Sequence, residues 1–151
     1  MRITLHQNQV KELEQALRVS IRIFEPSSKE KRKYHNKNNW HKKIVNNGLF
    51  ITAWKDEKMV GFSICYPKKN SLHIWNVGVL KEHRKLGVWK AMYGEIMKYA
   101  LENRFNNITL NTYKNKFPGM YAFCLKNGFK EYKTEKGKSF FIKPTQKNKK
   151  Q

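Results

Sequence analysis

Arg84-Lys85-Leu86-Gly87-Val88-Trp89 stands where one residue pattern stops and another starts. Before it, residues 71–80 carry the apolar content of a strand. After it, Val88, Met92, Ile96, Tyr99 and Ala100 recur at helical spacing over residues 87–105. The stretch is thus a strand-to-helix junction with a glycine in it. A helix N-terminus presents unpaired N–H groups and the positive end of its dipole, and glycine lets the backbone close on an anion. That combination reads as a pyrophosphate cradle, although a plain structural turn could use the same letters.

Working upstream, Leu72 and Ile74 are apolar at even positions and Trp75, Val77 and Val79 at odd ones, and this change of parity predicts a bulge at residues 74–76. Residues 49–54 and 59–66 read as an antiparallel hairpin around Lys55-Asp56-Glu57-Lys58, closed by Pro67. Val10, Leu13, Leu17, Ile21 and Phe24 predict an amphipathic helix over 8–24, stopped before Pro26. Residues 28–46 read as one further, very basic helix. Working downstream, Ile108, Leu110 and Thr112 alternate as a strand, and Pro118 opens a helix that Asn127 and Gly128 end. Two closing strands at 129–134 and 139–142 follow, joined by a turn at 135–138. Together these elements predict an α/β (α+β) fold with a mixed, mostly antiparallel central sheet flanked by helices.

A chain of 151 residues, 39% hydrophobic, suits one domain with a real core, expected over residues 1–143. Residues 144–151 read as a basic, disordered tail. No apolar run approaches the roughly 20 residues of a membrane span, and Met1 to His6 lack signal-peptide character, so a cytoplasmic protein with no membrane partner is expected. Two cysteines, Cys65 and Cys124, make neither a disulfide framework nor a metal set, and no metal is expected. Lys and Arg number 32 against 11 Asp and Glu, a net charge of +21 that solubility does not require. AT-rich codon usage would raise Lys and Asn but also Glu, and acidic residues are scarce. A nucleic-acid partner, DNA or tRNA, is the expectation. Its surface is expected on the basic helix, where Lys29, Lys31, Arg32, Lys33, Lys37, Lys42 and Lys43 interleave with Tyr34 and Trp40, with a merely solvated helix face as the alternative.

The order of elements and the junction motif resemble the GNAT superfamily of acyl-CoA-dependent N-acetyltransferases. That family's motif has Arg or Gln, two residues, Gly, one residue, then Gly or Ala; Arg84 and Gly87 match, and the resemblance covers residues 1–143. Lys126-Asn127-Gly128-Phe129 is similar to the ending of the family's last helix. The resemblance implies acetyl-CoA, or another acyl-CoA, as cofactor, with a splayed, bulged strand receiving its pantetheine arm. It implies cofactor contacts at Val77, Val79, Arg84, Lys85, Leu86, Gly87, Val88, Trp89 and Asn115, with the bulge N–H near Asn76 facing the thioester oxygen.

Two departures stand out. Trp89 takes the place of the family's Gly or Ala, so its side chain has to point away from the pyrophosphate. Cys124 takes the place of the tyrosine that many members use as an acid for the leaving thiolate. Tyr121, one turn earlier on about the same helix face, could offer its phenol in its stead, or could simply pack. Cys124 as a nucleophile is a further option, against the tendency of helix-interior cysteines to be inert. His73, on the bulged strand, is the candidate base, with a structural histidine as the alternative.

The implied function is acyl transfer to an amine acceptor, on a small molecule, a nucleic acid, an aminoacyl-tRNA or a nucleic-acid-associated protein. The alternative is a catalytically inactive nucleic-acid-binding module that keeps the fold. Either a monomer or a homodimer is compatible with the sequence.

Overall fold

Alternating aliphatics and short polar turns produce a sheet, and helices with one apolar stripe cover it. In the computed structural model, which describes residues 1–7 and 9–146, the order is β1 (Arg2–Gln7), α1 (Leu13–Phe24), α2 (Ser28–Lys33), α3 (Lys37–Val45), β2 (Leu49–Lys55), β3 (Lys58–Lys68) and β4 (Ser71–Val79). A 3-10 turn at Lys81–His83 leads to α4 (Val88–Glu102), β5 (Asn107–Tyr113), α5 (Pro118–Lys126), β6 (Lys130–Glu135) and β7 (Lys138–Pro144). The seven strands form one sheet in the order β1-β2-β3-β4-β5-β7-β6, with β4 and β5 parallel. The mixed, mostly antiparallel sheet read from the sequence is the one observed.

The chain divides into two compact units, Met1–Tyr66 with Asn76–Ile96, and Pro67–Trp75 with Met97–Gln151. In the first, β1 pairs with β2 from Arg2↔Trp54 to Gln7↔Leu49, and β2 with β3 from Leu49↔Cys65 to Lys55↔Lys58. β1 is absent from the sequence reading, because its two aliphatics, Ile3 and Leu5, give too short an alternation to stand out. Helix α1 starts at Leu13 rather than residue 8. Glu12 is the reason: its backbone is left-handed at φ 70°, and its carboxylate is held by His6 at 2.9 Å and by Thr52 at 3.1 Å. The far end of α1 packs closely on β4, where a Cβ at Gly78 would lie 2.4 Å from Phe62 and 3.0 Å from Ile23.

The single basic helix expected over 28–46 is two helices. Ser27 and Glu30 form a capping box that starts α2, and the Asn36 side chain caps α3 by accepting from the Asn39 amide at 2.8 Å. Between them the chain turns so that Trp40 enters the core, its Nε1 donating to the Tyr34 carbonyl at 2.7 Å and its ring 5.3 Å from that of Phe62.

In the second unit, the parallel ladder runs from Ser71↔Asn107 to Ile74↔Leu110, and β5 pairs with β7 from Asn107↔Pro144 to Tyr113↔Lys138. Helix α5 ends as its sequence indicates: Gly128 has φ 83°, and the Phe129 amide returns to the Cys124 carbonyl at 3.0 Å. The order extends beyond residue 143, since Pro144 lies in β7 and the Thr145 amide donates to the Asn106 carbonyl at 2.9 Å. The remainder of the expected tail, 147–151, lies outside the described residues. No helix among the described residues is long and apolar enough to cross a membrane.

Candidate acyl-CoA site

The cradle lies wholly in the first unit. After β4, the 3-10 turn is followed by Arg84 in extended conformation, and Lys85 and Gly87 then take positive φ, 67° and 82°. A non-glycine residue held at positive φ costs energy, so the loop is shaped by more than local preference. Arg84 turns back and its Nε donates to the Val79 carbonyl at 3.1 Å, tying the loop to the strand it leaves. Gly87 then opens α4. The amide of Ala91 donates to the Gly87 carbonyl at 2.9 Å, so those of Val88, Trp89 and Lys90 precede the first intrahelical bond.

What seats this helix start is Val88, 4% exposed, whose Cγ1 lies 3.0 Å from where a Cβ on Gly61 would be. At Gly87, by contrast, an added Cβ would meet no atom within 4 Å. The space beside that backbone is open, and residues 84–87 are exposed. An exposed backbone at the N-terminal end of α4, with the exposed cationic residues Arg84, Lys85 and Lys90 in the same stretch, suits an anionic group. The half-buried Trp89 ring lies 5.7 Å from that of Tyr93, one turn further along α4. Val77 and Val79 are half-buried on β4, and between Ile74 and Gly78 the alternation of burial is lost. There the Asn76 carbonyl accepts from the Ser63 hydroxyl at 2.9 Å.

The catalytic candidates fall in the second unit. His73 is 5% exposed, with Nδ1 at 2.8 Å from Thr109 Oγ1, its ladder neighbour. That burial and pairing describe a strand-to-strand link. Cys124 is fully buried, and burial pushes its thiol up to about 12, so the nucleophilic thiolate is not populated at neutral pH. Cys65, also buried and free, is likewise pushed up to about 12. Tyr121 packs edge-on to Phe141 at 5.4 Å, and its Oη donates to Glu131 Oε1 at 2.9 Å. That carboxylate raises the phenol above its ordinary value, while bonds from Ser139, Thr134 and Tyr121 lower the Glu131 carboxyl. Asn115 sits in the exposed turn after β5. Glu131 had no sequence signal: it lies ten residues from Tyr121, across the turn after α5.

The basic surface needs one correction. Trp40 is 0% exposed and cannot stack on a base; flanking Asn and Lys made a core residue look like a surface one. The cations Lys29, Lys31, Arg32, Lys33 and Lys42 are exposed, and α2 buries no residue. Lys37 is paired with Glu14, and Lys43 lies 4.3 Å over the Tyr66 ring. Among the described residues, no cluster of His, Cys, Asp or Glu could hold a metal ion.

A strand that feeds a positive-φ loop and a helix N-terminus, within a mixed seven-stranded sheet, can receive a phosphate-bearing ligand. The sequence model of the acetyltransferase (GNAT) family matches residues 11–129, and the chain belongs to that family. It is an N-acetyltransferase, with acetyl-CoA as the family's acyl donor. Solved structures agree on the fold. The PaiA N-acetyltransferase of Thermoplasma acidophilum, in complex with coenzyme A, superposes with a TM-score of 0.80 at 19% identity, covering 95% of this chain and 99% of that one. An aminoglycoside 6'-acetyltransferase type Ii gives 0.81 at 15% identity, over 98% and 99%. The ribosomal-protein-S18-alanine N-acetyltransferase of Escherichia coli gives 0.78 at 12% identity, over 99% and 97%. Comparison with curated protein sequences finds no match.

Proposed function

We propose that the protein acetylates an amine presented by a nucleic acid, an aminoacyl-tRNA or a nucleic-acid-associated protein, holding acetyl-CoA by its pyrophosphate on the amides of residues 85–89. The observation that carries the cofactor site is Gly87: φ 82° with open space where a side chain would stand, at the first turn of α4. Arg84, Lys85 and Lys90 supply charge there, and Val77 and Val79 offer strand backbone to the pantetheine arm. When bound, acetyl-CoA supplies an activated thioester acyl group.

Tyr121 is the residue we assign to hold a donatable proton, at Oη. Its raised pKa keeps the phenol protonated throughout the neutral range, whereas His73 is enclosed by its strand and Cys124 by its helix. Donation requires Tyr121 to release Glu131, whose carboxylate keeps its bonds from Ser139 and Thr134.

The charge of +21 supports a polyanionic acceptor or carrier, and the exposed cations of α2 add to the field that steers one in. Two free thiols fit a reducing cytoplasm. The test is mass spectrometry of candidate acceptors after incubation with acetyl-CoA: a small polyamine, a ribosomal-protein peptide, tRNA and aminoacyl-tRNA. A gain of one acetyl group on a nucleic-acid-borne or associated amine supports the reading. Transfer confined to the free polyamine overturns its acceptor half.

A further inference from the structure

The strands β5, β7 and β6 have two unlike faces. On one, Leu110, Thr112, Ser139 and Phe141 are all buried, and Tyr121 packs against Phe141. On the other, Tyr113 is 39% exposed, and Phe140 and Ile142 are half-buried; Tyr132, the extra residue of the bulge between Glu131 and Lys133, is 54% exposed. Register puts Tyr113 opposite Lys138, Phe140 opposite both Asn111 and Lys133, and Lys130 opposite Ile142, so these side chains share that open face.

Lysines and rings interleave there. Lys133 Nζ lies 5.0 Å from the Phe140 centroid, and Lys138 Nζ lies 5.7 Å from Phe140 and 5.9 Å from Tyr113. The Tyr132 and Phe140 centroids are 6.2 Å apart, which makes a row of three aromatics across three strands. One carboxylate of this face, Glu135, is paired with Lys133 at 3.2 Å, and Glu131 is turned to the opposite face by Tyr121 and Thr134. The face is therefore aromatic and positive.

A row of rings on a sheet with lysines beside them suits one occupant better than others. Bases of a single strand can stack on the rings while the lysines reach its phosphates. A duplex hides its base faces, and an acidic peptide would use the lysines but not the aromatic row. We propose that the open face of β5, β7 and β6, through Tyr113, Phe140, Tyr132, Lys130, Lys133 and Lys138, binds single-stranded nucleic acid. This goes beyond the acetyl-transfer reading, and binding is expected without acetyl-CoA.

The test is fluorescence anisotropy of the full-length protein with a labelled 12-nucleotide single-stranded RNA, the same sequence as DNA, and the DNA duplex, each titrated with salt. The expected result is tighter binding to single strands than to duplex; tighter binding of RNA than of DNA would assign the source to RNA, and the reverse to DNA. Tyr132→Ala, at an exposed position, should weaken single-strand binding by roughly 5- to 150-fold, the worth of one stacked base. Lys133→Gln with Lys138→Gln should lower the log-log salt slope by about 0.7 for each phosphate that is no longer neutralised. Phe140→Leu keeps an apolar side chain in the sheet and should still weaken binding. Equal affinity for duplex, or full binding by Tyr132→Ala when replacement of Lys29, Lys31, Arg32 and Lys33 removes it, would overturn the proposal. So would a change in sedimenting mass without a change in nucleic-acid binding, which would make the face an interface between copies. Acetyl-CoA affinity of the Tyr132, Lys133 with Lys138, and Phe140 variants, measured by calorimetry, should equal that of the parent, which separates failure here from failure of the cofactor site.

Discussion

Tyr121 Oη donates to Glu131 Oε1 at 2.9 Å, and this bond joins α5 to β6. The same carboxylate also accepts from Thr134 at 2.6 Å, so one acidic side chain gathers the helix and the closing hairpin. Its carboxyl is lowered by those bonds, and a carboxyl lowered on folding contributes stability that is present above its unfolded value and lost as pH falls through the folded one. Glu131→Gln should therefore be less stable than the parent at pH 7, and the gap should close as pH falls below about 4, near the unfolded Glu value. Urea midpoints at pH 7 and pH 3 measure this; a gap that stays constant would show that the charge of Glu131 is not what matters.

Tyr121→Phe removes the proton but keeps the ring against Phe141. Loss of a general acid is worth roughly 10²- to 10⁴-fold in turnover. Acetyl-CoA affinity should stay as it was, because the cradle is built from residues 84–90 alone. Steady-state kinetics beside calorimetry gives both values, and full turnover in this variant would make Tyr121 a packing residue.

Cys124, with its thiol pushed up to about 12, should neither react nor catalyse. Cys124→Ala should keep turnover and cost about 1 kcal/mol of stability for the small cavity left. Iodoacetamide at pH 7.5 should label neither cysteine in the folded protein and both in urea. Rapid native labelling of Cys124 together with loss of turnover would restore it as a nucleophile.

Trp40→Ala should destabilise the fold by about 3–5 kcal/mol, as expected for emptying a buried aromatic site. The variant also leaves the Tyr34 carbonyl without its indole donor. A denaturation curve tests this directly: an unchanged midpoint would put Trp40 back on the surface.

The strand-loop-helix junction was legible because its features are local: apolar periodicity on each side and a glycine at the turn. The ends of α5 were legible for the same reason, Pro118 at its first turn and Asn127-Gly128 at its last. What escaped was set by distant partners. Glu12 stops α1 short because His6 and Thr52, from two strands, hold its carboxylate. Trp40 is drawn inward by a carbonyl six residues away, which no periodicity within a run of Lys and Asn reveals. The tie of Tyr121 to Glu131, and that of His73 to Thr109, depend on strand register, which only the folded sheet defines. The aromatic row on β5, β7 and β6 was hidden likewise, since its three rings come from three strands.

The central claim is that the backbone around Gly87 holds acetyl-CoA, and calorimetric titration of acetyl-CoA into three proteins tests it most directly. The parent should bind. Gly87→Asp, which sets a strained, negatively charged side chain into the open cradle, should show no detectable binding. Gly94→Asp, at an exposed position of α4 where an added Cβ also meets nothing within 4 Å, should bind as the parent does. Unchanged affinity in Gly87→Asp, in a protein that still folds, would contradict the account.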